Sequence, residues 1–208
     1  MEVTRSTFAP PATHYCSPHN LVYAYPATLP ATYAACVYLH LMKKIGLLSD
    51  THSYLDDRIL HHLRECDEIW HAGDFGTAAV AEELAVLAPL RGVYGNIDGR
   101  DVRLTQPLVQ NFELEGLRVL MTHIGGYPGR YSPEANLLVR QERPGLFISG
   151  HSHILKVMPD PRLGLLHLNP GAAGRHGFHK VRTMLRFEVE NGKVQQLQAI
   201  ELGPRVGK

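Results

Sequence analysis

Five short motifs carry side chains that bind metal ions, and each motif follows a predicted strand. The side chains are Asp50 and His52, then Asp74, Asn96 and His123, and finally His151 and His153. They supply three carboxylate or amide oxygens and four imidazole nitrogens, which are donors that divalent metals accept. Seven ligands are too many for one ion but suit two ions that share a carboxylate. The motifs therefore predict a site for two divalent metal ions.

Three of the motifs place a glycine directly before the ligand residue. Gly73, Gly95 and Gly150 let the backbone turn sharply, or approach a bound anion, without a clash from a Cβ atom. A single motif carries little information, because an aspartate after a strand often acts as a helix cap. The prediction therefore depends on the whole ordered set, which capping residues or core histidines would not produce.

The elements that must position these residues alternate between strand and helix in the first half. Strands are predicted at 45–48, 68–71 and 90–94, and helices at 55–63 and 78–87, from apolar runs and helical spacing. This order implies parallel strands joined by right-handed crossovers. Asp50, Asp74 and Asn96 follow the three strands. They are therefore expected at one edge of a sheet, where open α/β folds build their sites.

Beyond residue 107 the strand signals follow one another more closely. Glu115-Gly116 and Asn191-Gly192 predict hairpin turns, and Ser132 predicts the start of a short helix. We predict that the strands of this second half are antiparallel and lie at 109–114, 117–121, 146–149, 154–158, 163–168, 184–189 and 194–200. The predicted fold class is α/β, with two packed mixed β-sheets flanked by helices.

Composition excludes several classes of protein. The 208 residues include 21 Lys and Arg against 20 Asp and Glu, so no excess of positive charge attracts nucleic acid. Cys16, Cys36 and Cys66 are an odd number without metal-binding spacing, which indicates inert thiols in a reducing compartment. No apolar run approaches the roughly 20 residues of a membrane helix. We expect a cytoplasmic protein that does not bind membranes.

Residues 1–41 differ from the rest of the chain. They contain five prolines, almost no charge and no sustained strand or helix period. We predict a poorly ordered N-terminal extension before a domain at 42–208. Either Met42 is the natural start and the reading frame is over-extended, or the extension is native.

The ordered motifs DTH, GD, GN, a lone His and GHSH resemble those of the calcineurin-like metallophosphoesterase superfamily. The resemblance covers residues 43 to about 202, and the short length and GNID are similar to the small bacterial and archaeal phosphodiesterase branch. It implies a metallophosphoesterase α/β sandwich, a small phosphoester substrate and a plausible homodimer. It also implies two divalent ions, with Mn²⁺ first and Fe, Zn²⁺, Ni²⁺ or Mg²⁺ as alternatives.

The resemblance also implies roles for individual residues. Asp50, His52 and His153 would hold one metal, Asn96, His123 and His151 the other, and Asp74 would bridge them. Asp74, Asn96 and His123 are the predicted catalytic residues. Two cations about 3.5 to 4 Å apart lower the pKa of a bridging water, so that a hydroxide attacks phosphorus near neutral pH.

One position departs from many phosphatases of the family. They have a histidine after the Asn of GN that assists the leaving group, whereas this chain has Ile97 followed by Asp98. An apolar side chain cannot donate a proton, and the small phosphodiesterase branch commonly lacks this histidine. We therefore expect a phosphodiesterase that hydrolyses monoesters poorly.

Two alternatives and several lesser residues stay open. A retromer subunit with this fold is a protein-binding scaffold, and a metal-binding sensor without turnover is a third possibility. Activity against a generic diester, with and without metal, distinguishes them. His71 is expected to pack at a strand end, with support of a ligand residue as the alternative. Arg175, His176 and His179 are expected on the surface, with contact between Arg175 and a substrate phosphate as the alternative. His61 and His62 are expected at the surface or boundary of a predicted helix.

Overall fold

Two five-stranded sheets, one two-stranded sheet and four helices form the part of the chain that the computed structural model describes, residues 42–206. The predictions for residues 1–41, including Cys16 and Cys36, lie outside the described residues. In chain order the elements are β1 (Lys43–Leu48), α1 (Asp57–Leu63), β2 (Glu68–His71), α2 (Ala78–Leu87), β3 (Leu90–Gly92), α3 (Arg100–Arg103), β4 (Val109–Leu114), β5 (Leu117–Thr122), β6 (Gly126–Tyr127), β7 (Arg130–Tyr131), α4 (Pro133–Glu142), β8 (Leu146–Ile148), β9 (Leu155–Asp160), β10 (Leu165–Pro170), β11 (Val181–Glu190) and β12 (Lys193–Pro204).

Both large sheets are mixed. The first has the order β12-β11-β1-β2-β3, and the second has the order β4-β5-β8-β10-β9. Strands β1, β2 and β3 run parallel, as the alternating pattern of the first half predicts. Their carboxyl ends therefore lie at one edge of the first sheet, where the predicted ligands follow them.

The apolar side chains form three layers of core around the two sheets. Ile45 and Leu47 of β1 pack between the sheets against Met121 and Ile148 of the second sheet. On the outer face of the first sheet, α1, α2 and α3 cover a second cluster, and α4 covers the outer face of the second sheet. The predicted fold class, two packed mixed sheets flanked by helices, is confirmed.

Helix α1 begins two residues later than predicted. The Asp56 carboxylate accepts a hydrogen bond from the Ile59 backbone N–H at 3.1 Å, which makes it the N-cap. The same carboxylate accepts from Arg182 Nη2 of β11 at 2.8 Å, so the helix start is tied to the sheet. Gly46 of β1 faces α1, and a Cβ atom there would meet the Leu63 side chain. The absence of a side chain at Gly46 therefore lets the helix lie close to the strand.

The prediction of an antiparallel second half is wrong for its central strands. Strand β8 pairs in parallel with both β5 and β10. The chain returns from β5 to β8 through α4, which is a crossover that brings two strands together in parallel. The short signals of residues 126–148 do not reveal this crossover, because hairpins and crossovers use similar apolar strands.

The remaining general predictions concern cysteine and membranes. Cys66 is buried and free, and burial raises the pKa of its thiol to about 11, so it stays protonated near neutral pH. Over residues 42–206, no helix has the length and apolar character that crossing a bilayer requires.

Candidate metal centre

The loops that follow β1 and β2 are held side by side by backbone hydrogen bonds. Asp50 N donates to Gly73 O at 2.9 Å, and His52 N donates to Asp74 O at 3.0 Å. Because these bonds continue the pairing of two parallel strands, the loops keep a fixed register. The Asp50–His52 motif therefore lies directly beside Asp74.

One group of potential ligands brings together Asp50, His52 and His153, whose ligand atoms all lie within 4.8 Å of one another. Asp50 is fully buried, and its Oδ1 is 3.1 Å from His153 Nε2. The other carboxylate oxygen accepts a hydrogen bond from the His151 backbone N–H at 3.2 Å. The structure thus brings residues from the first and last motifs to one point.

A second group consists of Asp74, His123 and His151, again within 4.8 Å of one another. His123 Nδ1 lies 2.7 Å from the Ala72 carbonyl oxygen, which can only accept a hydrogen bond. In a neutral ring, Nε2 then has a lone pair that faces Asp74 Oδ1 at 3.3 Å and Asn96 Oδ1 at 3.1 Å. Three electron-rich atoms meet here, and a cation among them removes their repulsion.

Asp74 faces both groups. Its Oδ2 is 3.7 Å from His52 Nε2, and its Oδ1 is 3.3 Å from His123 Nε2 and accepts from the Ile97 N–H at 3.1 Å. Burial by itself raises the pKa of Asp74. A protonated His123, which donates to the carboxylate, and the Ile97 N–H outweigh this effect, so the pKa lies below its ordinary value. Asp74 is therefore an anionic carboxylate between the two groups.

Unpartnered buried atoms test whether these residues fit a metal ion. Within residues 42–206, Asp50 Oδ1 and His52 Nε2 are buried without a hydrogen-bond partner. Leaving such an atom unsatisfied costs about 1–3 kcal/mol. A divalent cation would satisfy both atoms, and carboxylate oxygen with imidazole nitrogen is a donor set that such cations accept. The first group fits a metal ion on these grounds.

Backbone strain is concentrated at the same place. Left-handed φ angles cost a residue with a side chain about 1–2 kcal/mol, and they persist where the surrounding structure enforces them. Most of the potential ligands adopt such angles: Asp50 (54°), His52 (48°), Asp74 (57°), His151 (65°) and His153 (56°). The folded chain thus maintains strained backbone in order to present these side chains.

The glycines before the ligands make room for other ligands. A Cβ atom on Gly95 would meet the Asp74 carboxylate, and one on Gly73 would meet the His123 ring. A larger residue at either position would push a potential ligand away from its group. The sequence predicted tight turns at these glycines, and the structure adds that they allow close approach of ligand side chains.

Residues 42–192 match the sequence profile of the calcineurin-like phosphoesterase superfamily domain. This match spans most of the chain. The chain belongs to the calcineurin-like phosphoesterase superfamily. The family predicted from the five motifs is confirmed, and membership supports a phosphoester hydrolase that uses divalent metal ions.

Individual relatives agree with this family. A probable metallophosphoesterase of Methanothermobacter thermautotrophicus is 32% identical over 135 residues, which cover 62% of this chain and 76% of that protein. An archaeal phosphodiesterase structure is 21% identical with a TM-score of 0.59, covering 76% of this chain and 99% of that one. Vps29 of Entamoeba histolytica complexed with zinc is 17% identical with a TM-score of 0.56, covering 76% and 98%. The two solved structures share the fold.

His71 positions the ligand-bearing loops of this calcineurin-like site. The sequence predicted such a role only as an alternative to strand-end packing. Burial lowers the pKa of His71 to about 3, so the ring is neutral. Its Nδ1 accepts from Gly73 N at 3.2 Å, and its Nε2 is 2.9 Å from Thr51 Oγ1. The ring therefore connects the two ligand-bearing loops without belonging to either ligand group.

Asn169 is a second supporting residue that lies outside the five motifs. Its Nδ2 donates to the Gly150 carbonyl at 2.8 Å and to Ser152 Oγ at 3.2 Å, and its Oδ1 accepts from Gly171 N at 2.9 Å. The side chain thus holds the loop of the GHSH motif. The sequence Asn169-Pro170-Gly171 indicates a turn here, but it does not reveal this contact.

The lesser residues occupy distinct places. Arg175 is exposed, with its guanidinium 4.4 Å from the centre of the Tyr54 ring. His176 lies beside His52, with ring centres 4.7 Å apart. His61 and His62 are in the last turn of α1, away from both ligand groups, as predicted.

Asp98 organises the loop after β3. It is buried, and its two carboxylate oxygens accept from Gly76 N at 2.8 Å and Gly95 N at 2.7 Å. Both oxygens are therefore occupied by backbone donors. The carboxylate stabilises the loop that carries Asn96 and is not free to donate a proton to a substrate.

A cavity of about 710 Å³ opens beside the ligand groups. Its polar lining includes His52, Asp74, Asn96, His151, His153, His176 and His179. Its apolar lining consists of Ile97, Ile154, Leu155 and Phe178. Among the described residues that line it, none is Lys or Arg. Its volume suits a small organic ligand.

Proposed function

We propose that this protein is a phosphodiesterase that uses two divalent metal ions. The observation that carries the proposal is the position of Asp74, whose two oxygens face different groups of ligands, at 3.7 Å from His52 Nε2 and 3.3 Å from His123 Nε2. A shared carboxylate is the usual way in which two ions are held close together. Zinc in the related Vps29 structure supports metal binding by this fold.

Each side chain then has a proposed role. Asp50, His52 and His153 would hold one ion, and Asn96, His123 and His151 would hold the other. Ions bound there would lower the pKa of a water between them and stabilise negative charge on the phosphoryl oxygens. The Ala72 carbonyl fixes the His123 ring, and the Ile97 N–H orients Asp74 at 3.1 Å. We propose Asp74, Asn96 and His123 as catalytic residues, with Mn²⁺ as the first metal to test.

The cavity favours a diester over a highly charged substrate. A diester has one negative charge, and the part of the lining formed by residues 42–206 supplies no Lys or Arg to bind additional phosphates. Ile97, Ile154 and Phe178 are large apolar side chains with substantial exposure at its edge. Since apolar surface gains free energy when it is covered, these residues fit an apolar or aromatic ester group.

The direct test is hydrolysis of bis(4-nitrophenyl) phosphate by protein stripped of metal and then reloaded with Mn²⁺ or Zn²⁺. We expect the stripped protein to be inactive, the reloaded protein to be active, and two ions to bind per chain. Faster turnover of the diester than of 4-nitrophenyl phosphate supports the diesterase assignment. Equal rates with and without chelator would contradict metal-dependent catalysis. Metal binding without hydrolysis of either ester would favour the scaffold or sensor alternatives.

Phe178 provides a second prediction, for substrate binding. Phe178→Ala is expected to raise KM for bis(4-nitrophenyl) phosphate about fivefold and to leave kcat nearly unchanged. The reason is that partial burial of a phenyl ring by an aryl group contributes about 1 kcal/mol. Val86→Ala is the control, because Val86 is also an exposed apolar residue but does not line the cavity. An unchanged KM in Phe178→Ala would exclude aryl contact at this residue.

The homodimer, the small phosphoester substrate and the cytoplasmic location remain predictions from the sequence. A homodimer would be seen directly as twice the chain mass in solution.

A further inference from the structure

Two histidine rings face each other through the same ring atom. His153 Nδ1 is 3.3 Å from His179 Nδ1, and the rings meet edge to face with centres 5.2 Å apart. A hydrogen bond between two nitrogens needs one N–H and one lone pair. The neutral rings must therefore be different tautomers.

The surroundings of His179 decide which ring donates. His179 Nε2 lies 3.1 Å from the Gly174 carbonyl oxygen, which can only accept. The single proton of neutral His179 is therefore on Nε2, and its Nδ1 is the acceptor. His153 must then carry its proton on Nδ1, which leaves the lone pair on His153 Nε2.

The lone pair of His153 is then on Nε2, the ring atom that lies near Asp50 of the first ligand group. His153 Nε2 is 3.1 Å from Asp50 Oδ1, yet that buried oxygen has no hydrogen-bond partner within residues 42–206. Two acceptors that face each other at this distance repel unless a cation lies between them. His179 requires the tautomer of His153 that has its proton on Nδ1. In this tautomer, Nε2 has the lone pair that a metal ligand needs.

The loop that carries His179 is tied to the same group. Gly174 N donates to Asp50 O at 3.1 Å, so the carbonyl that orients His179 is fixed by a ligand-bearing residue. Arg205 Nε donates to the His179 carbonyl at 3.1 Å and anchors the other end of the loop. Gly177 has φ 115°, and a Cβ atom there would meet the His153 ring. The loop is therefore built to lie against His153.

We propose that His179 is a positioning residue that fixes His153 in the metal-binding tautomer. This proposal rests on the proposed function of the first ligand group. Histidines that bind metals almost always donate their second ring N–H to a fixed acceptor, and losing that acceptor typically costs 10- to 100-fold in metal affinity. Here the acceptor is another imidazole, whose own tautomer is set by the Gly174 carbonyl.

Three substitutions separate this role from simple packing. His179→Asn keeps an oxygen near the position of Nδ1 and so preserves an acceptor for His153. His179→Gln keeps polar atoms near the position of Nε2, where they reach Gly174 but not His153. His179→Ala removes both contacts. His61→Asn is the matched control, because His61 is an exposed histidine of α1 outside the ligand groups.

The first measurement is titration of chelator-stripped full-length protein with Mn²⁺ by calorimetry. We expect one of two binding events to weaken about 10- to 100-fold in His179→Ala and His179→Gln. The other event should be unchanged, and His179→Asn and His61→Asn should stay within about threefold of wild type. Equal loss in the Asn and Gln variants, or no loss in the Ala variant, would overturn the proposal.

The second measurement needs no metal. Long-range ¹⁵N–¹H correlation spectra of the stripped protein distinguish the tautomers of neutral histidines. We expect protonated Nδ1 in His153 and protonated Nε2 in His179, and a shift of His153 toward protonated Nε2 in His179→Ala. Finding protonated Nε2 in wild-type His153 would contradict the proposal. Wild-type protein that binds no metal would overturn the proposed function, whereas active, metal-loaded wild type with unaffected variants would overturn only the role of His179.

Discussion

Replacing Asp74 with Asn is expected to lower kcat/KM for bis(4-nitrophenyl) phosphate by about 10³-fold or more. The two oxygens of Asp74 face different ligand groups, and the residue is almost fully buried. An amide keeps one acceptor oxygen, replaces the other with an N–H donor and removes the negative charge. Loss of a shared metal ligand is worth several kcal/mol, and about 4 kcal/mol corresponds to about 10³ in rate.

The measurement combines steady-state kinetics with metal analysis of the same preparation. Asp160→Asn is the matched control, because Asp160 is also buried but accepts from Tyr131 Oη at 2.9 Å and Arg162 N at 3.1 Å, away from the ligand groups. We expect that control to lose about 1–3 kcal/mol of unfolding free energy and to keep its rate. An Asp74→Asn protein with two bound ions and more than a tenth of wild-type activity would contradict a bridging role.

The second large effect concerns the leaving group. Because the side chain of Ile97, the residue after Asn96, cannot donate a proton, the leaving oxygen departs unprotonated or takes a proton from water. The wild-type rate should therefore rise steeply as the leaving group becomes more acidic. Ile97→His is expected to raise turnover of alkyl phosphate monoesters by about 10²-fold, at the lower end of what general acid catalysis supplies.

The geometry favours this substitution. Ile97 lines the cavity with its side chain 46% exposed, and its contact with Asp74 is made by the backbone N–H, which a histidine would keep. Ile97→Asn is the control, since it adds polarity at the same position without an imidazole. A similar gain in both variants would show that polarity, rather than proton donation, limits the wild type.

A shallow dependence of the wild-type rate on leaving-group pKa would assign the proton to another residue. Asp98 is a poor donor, because both of its oxygens accept from backbone N–H groups. His176 lines the cavity and lies beside His52. A steep dependence that appears only in His176→Asn would therefore identify His176 as the donor and contradict the explanation based on Ile97.

The sequence alone predicted which residues the structure brings together at the candidate centre. Asp50, Asp74 and Asn96 follow strands whose apolar runs and intervening helices imply parallel pairing. Parallel strands end at one sheet edge, so three motifs far apart in the chain could be placed together without coordinates. Strand ends, tight glycine turns and the hairpin at Asn191-Gly192 depend on neighbouring residues, and local sequence therefore encodes them.

Only the tertiary structure determined what supports the centre. His71 contacts Thr51 across 20 positions, Asn169 contacts Gly150 across 19, and His179 contacts His153 across 26. The parallel pairing of β8 likewise depends on α4 crossing between strands. Such contacts depend on how the two sheets and their loops pack. The sequence gives the residue type, but it does not show whether an imidazole or amide contacts water, a carbonyl or another imidazole.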